Sequence, residues 1–242
     1  MNGPFLSIVV PAYNEAERLG PTLERILAWS ETLGRPAEIL VVDDGSKDAT
    51  CAVAEGYAPR VRLVRNGRNR GKGFSVRHGV LEATGQQILF TDADLSTPIA
   101  DYALLARALE THDIAIGSRA LRDSNVTRHQ PAYREAMGCV FNGVVQGLAV
   151  RGIRDTQCGF KLFRADVAKA LFGQATIEGF AFDVEVLFLA RRAGYRIAEV
   201  PITWENDDRT RVHALYDSAR MFRDLVTIRY RHSFLNKSRR TS

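Results

Sequence analysis

Asp92 and Asp94 stand two positions apart, directly after the apolar run Gln87-Ile88-Leu89-Phe90-Thr91. Alternate residues of an extended segment project to one side. Two carboxylates so arranged supply hard oxygen ligands to Mg²⁺ or Mn²⁺ and leave positions open for phosphate oxygens. A lone Asp-x-Asp is more often a turn former or helix cap, but this pair follows a buried-strand pattern and reads as a metal site. Two more polar clusters follow apolar runs. Pro11-Ala12-Tyr13-Asn14-Glu15 comes after residues 6–10, and Asp43-Asp44-Gly45-Ser46 after residues 38–42.

The basic, glycine-rich segment 66–73 opens a helical stretch, and backbone amides at such a turn suit phosphate. It is not a Walker loop: three residues separate Gly67 from Gly71, and Gly73 stands where Ser or Thr is required. Gly71 and Lys72 are its strongest candidates for phosphate contact. Arg119 follows another apolar run, and with Arg134 and Arg211 it can clamp phosphate in bidentate fashion. Asp155, Asp183 and Glu185 bring acids into apolar segments, where an isolated buried carboxylate is costly without a partner. Asp183 reads either as a helix cap or as a general base. The five histidines show no ligand spacing, and the three cysteines form no C-x-x-C pair.

These residues need a frame. Residues 6–10, 38–42, 61–64, 87–91 and 114–117 read as strands, and the near-continuous hydrophobicity of the first, second and fourth suits burial on both faces. Helical patterns at 15–32, 50–57, 73–84 and 101–110 alternate with them. Alternation predicts an α/β, doubly wound, mostly parallel sheet with ligands at the carboxyl ends of its strands. Later, an amphipathic helix is expected over 132–150 and another over 183–193, with 195–204 ending the sheet. A basic amphipathic helix is expected over 213–231, its apolar stripe running through Leu215, Ala219, Phe222 and Val226. The expected division is a catalytic domain over 1–208 and a basic helix and tail over 209–242.

Hydrophobic residues make up 45% of the 242, enough for one substantial core. No apolar run reaches the ~18 residues of a membrane span. Residues 209–242 hold nine Lys and Arg against two Asp, so the net +5 of the chain sits on its last helix and tail. That pattern points to an anionic surface or ligand. No nucleic-acid partner is expected, scattered cysteines fit a reducing cytoplasm, and nothing in the sequence sets an oligomeric state.

Taken together, Pro11–Glu15, the Val41-Val42-Asp43-Asp44-Gly45-Ser46 turn, Gly71-Lys72-Gly73, Asp92-Ala93-Asp94 and Gly117-Ser118-Arg119 resemble the family-two glycosyltransferases of the GT-A, Rossmann-like fold. Asp155-Thr156-Gln157-Cys158-Gly159-Phe160-Lys161 and Ala181-Phe182-Asp183-Val184-Glu185 resemble the dolichyl-phosphate glucosyltransferase branch. The resemblance implies inverting transfer of a hexose from a nucleoside diphosphate sugar, UDP-glucose above GDP-mannose, to a polyprenyl phosphate. It also implies that Pro11, Tyr13, Glu15 and Asp43 or Asp44 hold the base and ribose, that Asp92 and Asp94 bind metal, and that Arg119, Arg134 and Arg211 face phosphates. The sequence departs from the pattern at Ser96, where mannosyl relatives often carry Gln, and at Arg209-Thr210-Arg211, where Gly-Ser-Lys is usual. The membrane anchor of eukaryotic relatives has no counterpart here, which suggests a bacterial-type enzyme docking peripherally on the inner face of the plasma membrane. Three rival readings remain: the same fold with a sugar-hydroxyl acceptor, a haloacid-dehalogenase-type phosphatase with Asp92 as nucleophile, and a non-catalytic nucleotide-binding module.

Overall fold

The computed structural model describes residues 3–128, 138, 142–147, 149–206 and 214–234, with the backbone alone for 214–219, 233 and 234. All five expected strands form: β1 (Leu6–Ala12), β2 (Ala37–Asp43), β3 (Val61–Arg65), β4 (Gln87–Thr91) and β5 (Ile114–Ser118). Between them run α1 (Ala16–Thr32), α2 (Thr50–Glu55), α3 (Lys72–Glu82) and α4 (Tyr102–Leu109). Then come β6 (Asn125–Arg128), β7 (Phe160–Arg164), α5 (Ala165–Gln174), α6 (Phe182–Ala193), β8 (Ile197–Pro201), β9 (Thr203–Glu205) and α7 (Ala214–Phe234).

The main sheet has the order β3-β2-β1-β4-β7-β5-β8. Every pairing is parallel except those of β7, which runs antiparallel between β4 and β5. Residue parity explains the two cores. Val9, Leu40, Val42, Ile88 and Phe90 face the layer of α3, α5, α6 and α7. Ile8, Val10, Ile39, Val41 and Leu89 face the layer of α1 and α4. Period-two alternation of apolar residues on both faces is what a doubly covered sheet requires.

Two features of the fold go beyond the expectations. The segment 160–164 was not foreseen as a strand, yet β7 splits the sheet between β4 and β5. Its buried pattern contains Lys161, a charge that breaks the apolar run. On α7 the stripe through Phe222 and Val226 lies on the outer face, 51% and 53% exposed, while a second apolar set, Met221, Leu225 and Ile228, is buried. The buried set lies one to two residues along from the exposed one, and Asp224 is turned inward with it. The side chains of Leu215 and Ala219, and most of the expected 132–150 helix, lie outside what is described, although 142–147 is helical and Val145 is buried.

Candidate active site

The carboxyl ends of β1, β2 and β4 share one rim, as a parallel sheet demands. The first two turns are laced together. Asn14 N–H donates to Ser46 Oγ at 2.8 Å, Lys47 N–H to Asn14 Oδ1 at 2.7 Å, and Glu15 N–H to Thr50 Oγ1 at 2.7 Å. Asn14 takes a φ of 54°, a left-handed conformation to which Asn is well suited. Glu15 is held by Arg18, whose Nη2 donates to Oε1 at 2.7 Å. Pro11 and Tyr13 stand half-buried on the same rim.

Asp43 and Asp44 are both buried, and both carboxylates accept backbone N–H groups. Asp43 accepts from Gly45 at 3.0 Å and Ser46 at 3.2 Å, closing its own turn. Asp44 reaches across to the glycine-rich loop and accepts from Arg70 N at 2.9 Å, Gly71 N at 2.8 Å and Asn66 Nδ2 at 2.8 Å. Gly45, at φ 75°, lets that loop come close: a Cβ there would lie 2.7 Å from Arg68 Cα.

The loop differs from the expected phosphate cradle. Gly71 N is bound to Asp44, while Gly73 N and Phe74 N both donate to the Glu178 carbonyl, at 2.8 and 3.2 Å. A backbone carbonyl therefore caps the start of α3, and those amides are already used. The glycines serve closeness: a Cβ at Gly71 would meet Glu178 O at 2.4 Å, and one at Gly73 would meet Ile177 O at 2.5 Å. The loop instead contributes the Lys72 side chain, whose Nζ lies 2.7 Å from Asp92 Oδ1, with the Phe90 ring beneath. Burial opposes that charge, but Asp92, Asp183 and Asp94 raise the Lys72 pKa above its ordinary value.

Asp92 and Asp94 bracket a tight turn. Leu95, at φ 48°, is in a strained conformation for its residue type, and its buried side chain anchors it in the core. Asp94 Oδ1 accepts Ser96 N–H at 2.9 Å. Burial, and then the charge of Asp92, push the Asp94 carboxyl above the usual range. Thr91, Asp92, Asp94, Ser96, Thr97, Gly159 and Trp204 line one small cleft. Among the described residues no three acids, histidines or cysteines gather as a ready-made metal cage. Two repelling carboxylates with oxygen donors only still fit Mg²⁺ or Mn²⁺, which take one or two protein carboxylates and complete their shell with phosphate oxygens and water.

Arg119 sits at the end of β5. Its Nε and Nη2 donate to Asp155 at 2.6 and 2.8 Å, and its backbone N–H donates to the same carboxylate at 3.0 Å. Burial opposes both charges, yet Arg119 lowers the Asp155 pKa and Asp155 raises that of Arg119. Asp183 lies in the first turn of α6, not at its cap, and only 4% of it is exposed. Its Oδ1 accepts Lys161 Nζ at 2.5 Å. Burial raises the Asp183 pKa against the pull of Lys161 and Lys72. Arg134 and Arg211 lie outside the described residues.

Sequence reasoning missed three contributors: Gly159, which touches Asp92; Lys161, the partner of Asp183; and Trp204, which lines the cleft. The first two lay inside a motif already singled out, and the signal was an apolar strand interrupted by a lysine.

The model of glycosyl transferase family 2 matches residues 7–172. The chain belongs to that family. It is 42% identical to a dolichyl-phosphate beta-glucosyltransferase of Drosophila melanogaster over 94% of this chain and 75% of the relative. The Homo sapiens protein of the same name is 36% identical over the same shares. In fold, it is similar to glucosyl-3-phosphoglycerate synthase from Mycobacterium tuberculosis in complex with uridine-diphosphate, with a TM-score of 0.70 at 18% identity, covering 93% of this chain and 80% of that one. Mannosyl-3-phosphoglycerate synthase from Rubrobacter xylanophilus gives 0.69 at 21% identity, covering 97% and 76%. The chain is a glycosyltransferase of mixed α/β architecture, and no finding favours the phosphatase reading.

Proposed function

We propose that this glycosyltransferase moves a hexose, glucose by the names of its relatives, from a nucleoside diphosphate donor to a polyprenyl monophosphate with inversion. The observation that carries this reading is the cleft itself. Asp92 and Asp94 line it, Lys72 binds Asp92 at 2.7 Å, and Arg119, held by Asp155, lies near enough for the charge of Asp92 to raise its pKa. A leaving nucleoside diphosphate gains charge in the transition state, and positioned cations stabilise it. A divalent ion held by Asp92 and Asp94 would act as the Lewis acid on that diphosphate. Relatives in fold support the ion, since glucosyl-3-phosphoglycerate synthase has been crystallised with Mn²⁺ and UDP-glucose. Pro11, Tyr13, Glu15 and Asp43 form the rim assigned to base and ribose. Asp44 serves it by fixing the 66–71 loop.

The choice of a phosphate acceptor rests on Asp183. A sugar hydroxyl needs a general base, but Asp183 is buried and already holds Lys161, and the only acids lining the cleft among the described residues are Asp92 and Asp94. A phosphate monoester is an anion at neutral pH and attacks without one. The rate then comes from bringing two anionic substrates together in register.

The lipid end implies a bilayer surface. No described helix is long and apolar enough to cross a membrane. Phe222, Val226 and Tyr230 recur every fourth residue on the outer face of α7 and are 51%, 53% and 64% exposed. Arg220, Arg223, Arg229 and Arg231 are exposed around them. An apolar stripe among arginines suits an anionic leaflet, here assigned to the inner face of the plasma membrane. Arg134 and Arg211 are assigned to acceptor phosphate on resemblance.

The test is a transfer assay with Mg²⁺ or Mn²⁺, polyprenyl phosphate and a panel of labelled nucleotide sugars. Label extracted into organic solvent with UDP-glucose is the expected result. Donor binding without lipid labelling from any sugar would overturn the acceptor assignment.

A further inference from the structure

Arg119 is held by Asp155 on one edge and by the Trp204 ring, and its restraint has a direction. A guanidinium carries five N–H donors in a planar fork. Asp155 takes Nε–H and one Nη2–H, side-on, at 2.6 and 2.8 Å. Among the described residues, no acceptor meets Nη1. The Trp204 ring lies 5.3 Å from Cζ, and the same indole lines the cleft with Asp92 and Asp94. Asp155 is itself held. Its N–H donates to Glu199 Oε1 at 2.8 Å, the neighbouring Arg154 N–H donates to both Glu199 oxygens at 3.0 Å, and Ser118 Oγ donates to Oε1 at 2.7 Å. The chain of contacts runs from Glu199 on β8, through the 154–155 backbone, to Asp155 and then Arg119.

We propose that Asp155 and Trp204 are positioning residues, which hold the Arg119 guanidinium in one orientation so that its far edge meets phosphoryl oxygens in the cleft. An arginine free on its stem loses much rotamer freedom when it binds an anion, and one already held by a carboxylate and an indole loses little. The proposal rests on the phosphate chemistry argued above. Two phosphoryl sources share that chemistry: the donor diphosphate and the lipid monophosphate.

The experiment measures KM for nucleotide sugar and for polyprenyl phosphate separately, with melting temperatures in parallel. Asp155→Asn should raise at least one KM about 10-fold, the scale of a lost charge-assisted contact. Trp204→Leu should raise the same KM, and Trp204→Phe should restore it. In an Arg119→Met background neither Asp155→Asn nor Trp204→Leu should change KM further, because residues acting through one group are not additive. A rise confined to the lipid assigns the edge to the acceptor, and a rise confined to the nucleotide sugar assigns it to the donor. Unchanged KM values in active Asp155→Asn and Trp204→Leu proteins would overturn the proposal, as would effects of full size in the Arg119→Met background. Wild-type protein that transfers no sugar to polyprenyl phosphate would instead overturn the functional reading beneath it. If Asp155→Asn fails to fold, the Trp204 pair still decides.

Discussion

Gly159→Ala should separate the site from the fold. Gly159 precedes β7, and a Cβ there would lie 1.9 Å from Asp92 Oδ2 and 2.5 Å from its Cγ. Backbone strain is not at issue, since Gly159 is not among the positive-φ glycines. To reach ordinary van der Waals contact of about 3.4 Å, the carboxylate oxygen must retreat by about 1.5 Å. The atom that moves is the end of one side chain, so the core can stay intact and the loss in stability should stay within about 1–3 kcal/mol. The site has no such tolerance. A shift of that size breaks the 2.7 Å contact with Lys72 and exceeds the ~0.2 Å within which a metal ligand must sit. Misplacement by ~1 Å costs on the order of 100-fold in rate. The expected result is kcat/KM for transfer down by about 100-fold, Mn²⁺ affinity reduced in an electron paramagnetic resonance titration, and near-native circular dichroism. Transfer within about threefold of wild type, with unchanged Mn²⁺ binding, would refute both the contact and the role given to Asp92.

Lys72→Met frees Asp92 from its ammonium. Mn²⁺ should then bind severalfold more tightly without nucleotide, while UDP binding in the presence of Mn²⁺ weakens about 10-fold; calorimetry showing both affinities falling together would count against the role given to Lys72. Lys161→Met leaves Asp183 buried without its cation and should cost about 3–5 kcal/mol, much of it regained in Lys161→Met/Asp183→Leu, as urea unfolding would register. Glu185 is fully buried; burial alone would raise its pKa, but His232 and the N–H groups of Ile177 and Thr176 bring it below the ordinary 4.5. A carboxyl lowered on folding stabilises above its unfolded pKa and loses that contribution as pH falls through the folded value. The stability gap between wild type and Glu185→Gln should therefore be wide at neutral pH and close on acidification below about 4.5, and a gap independent of pH would contradict the assignment.

The first half of the chain was largely legible because its order is local. Five apolar runs, each followed by a polar turn, suffice for a parallel sheet, and a parallel sheet brings those turns to one rim. The second half was not, since its key pairings join distant residues. Asp155 and Asp183 were recognisable as acids in need of partners, but nothing local says that these are Arg119, 36 residues earlier, and Lys161, 22 residues earlier. β7 was hidden for the same reason: Lys161 breaks its apolar pattern, and its burial is made tolerable by the ion pair with Asp183 and a hydrogen bond to the Cys158 carbonyl. On α7 the apolar residues ring more than one face, so periodicity alone did not decide that Phe222 and Val226 face outward while Leu225 and Ile228 face in.

The glycine-rich loop shows why motif chemistry has to be read with its neighbours. By sequence its amides were available to phosphate, yet Asp44 and the Glu178 carbonyl take those of Arg70, Gly71, Gly73 and Phe74. The positive charge of the cleft must then come from side chains. Lys72 is held to Asp92 and Arg119 to Asp155, so each cation is placed by a carboxylate before any substrate arrives. The strand and loop that complete this arrangement, 159–164 and 176–179, both belong to the second half of the chain. Gly159 fits against Asp92, and Glu178 caps α3 beneath Lys72. The three polar turns of the first half therefore share their rim with fixed cations only once the later elements are in place, Gly159 against Asp92 and Asp155 on Arg119.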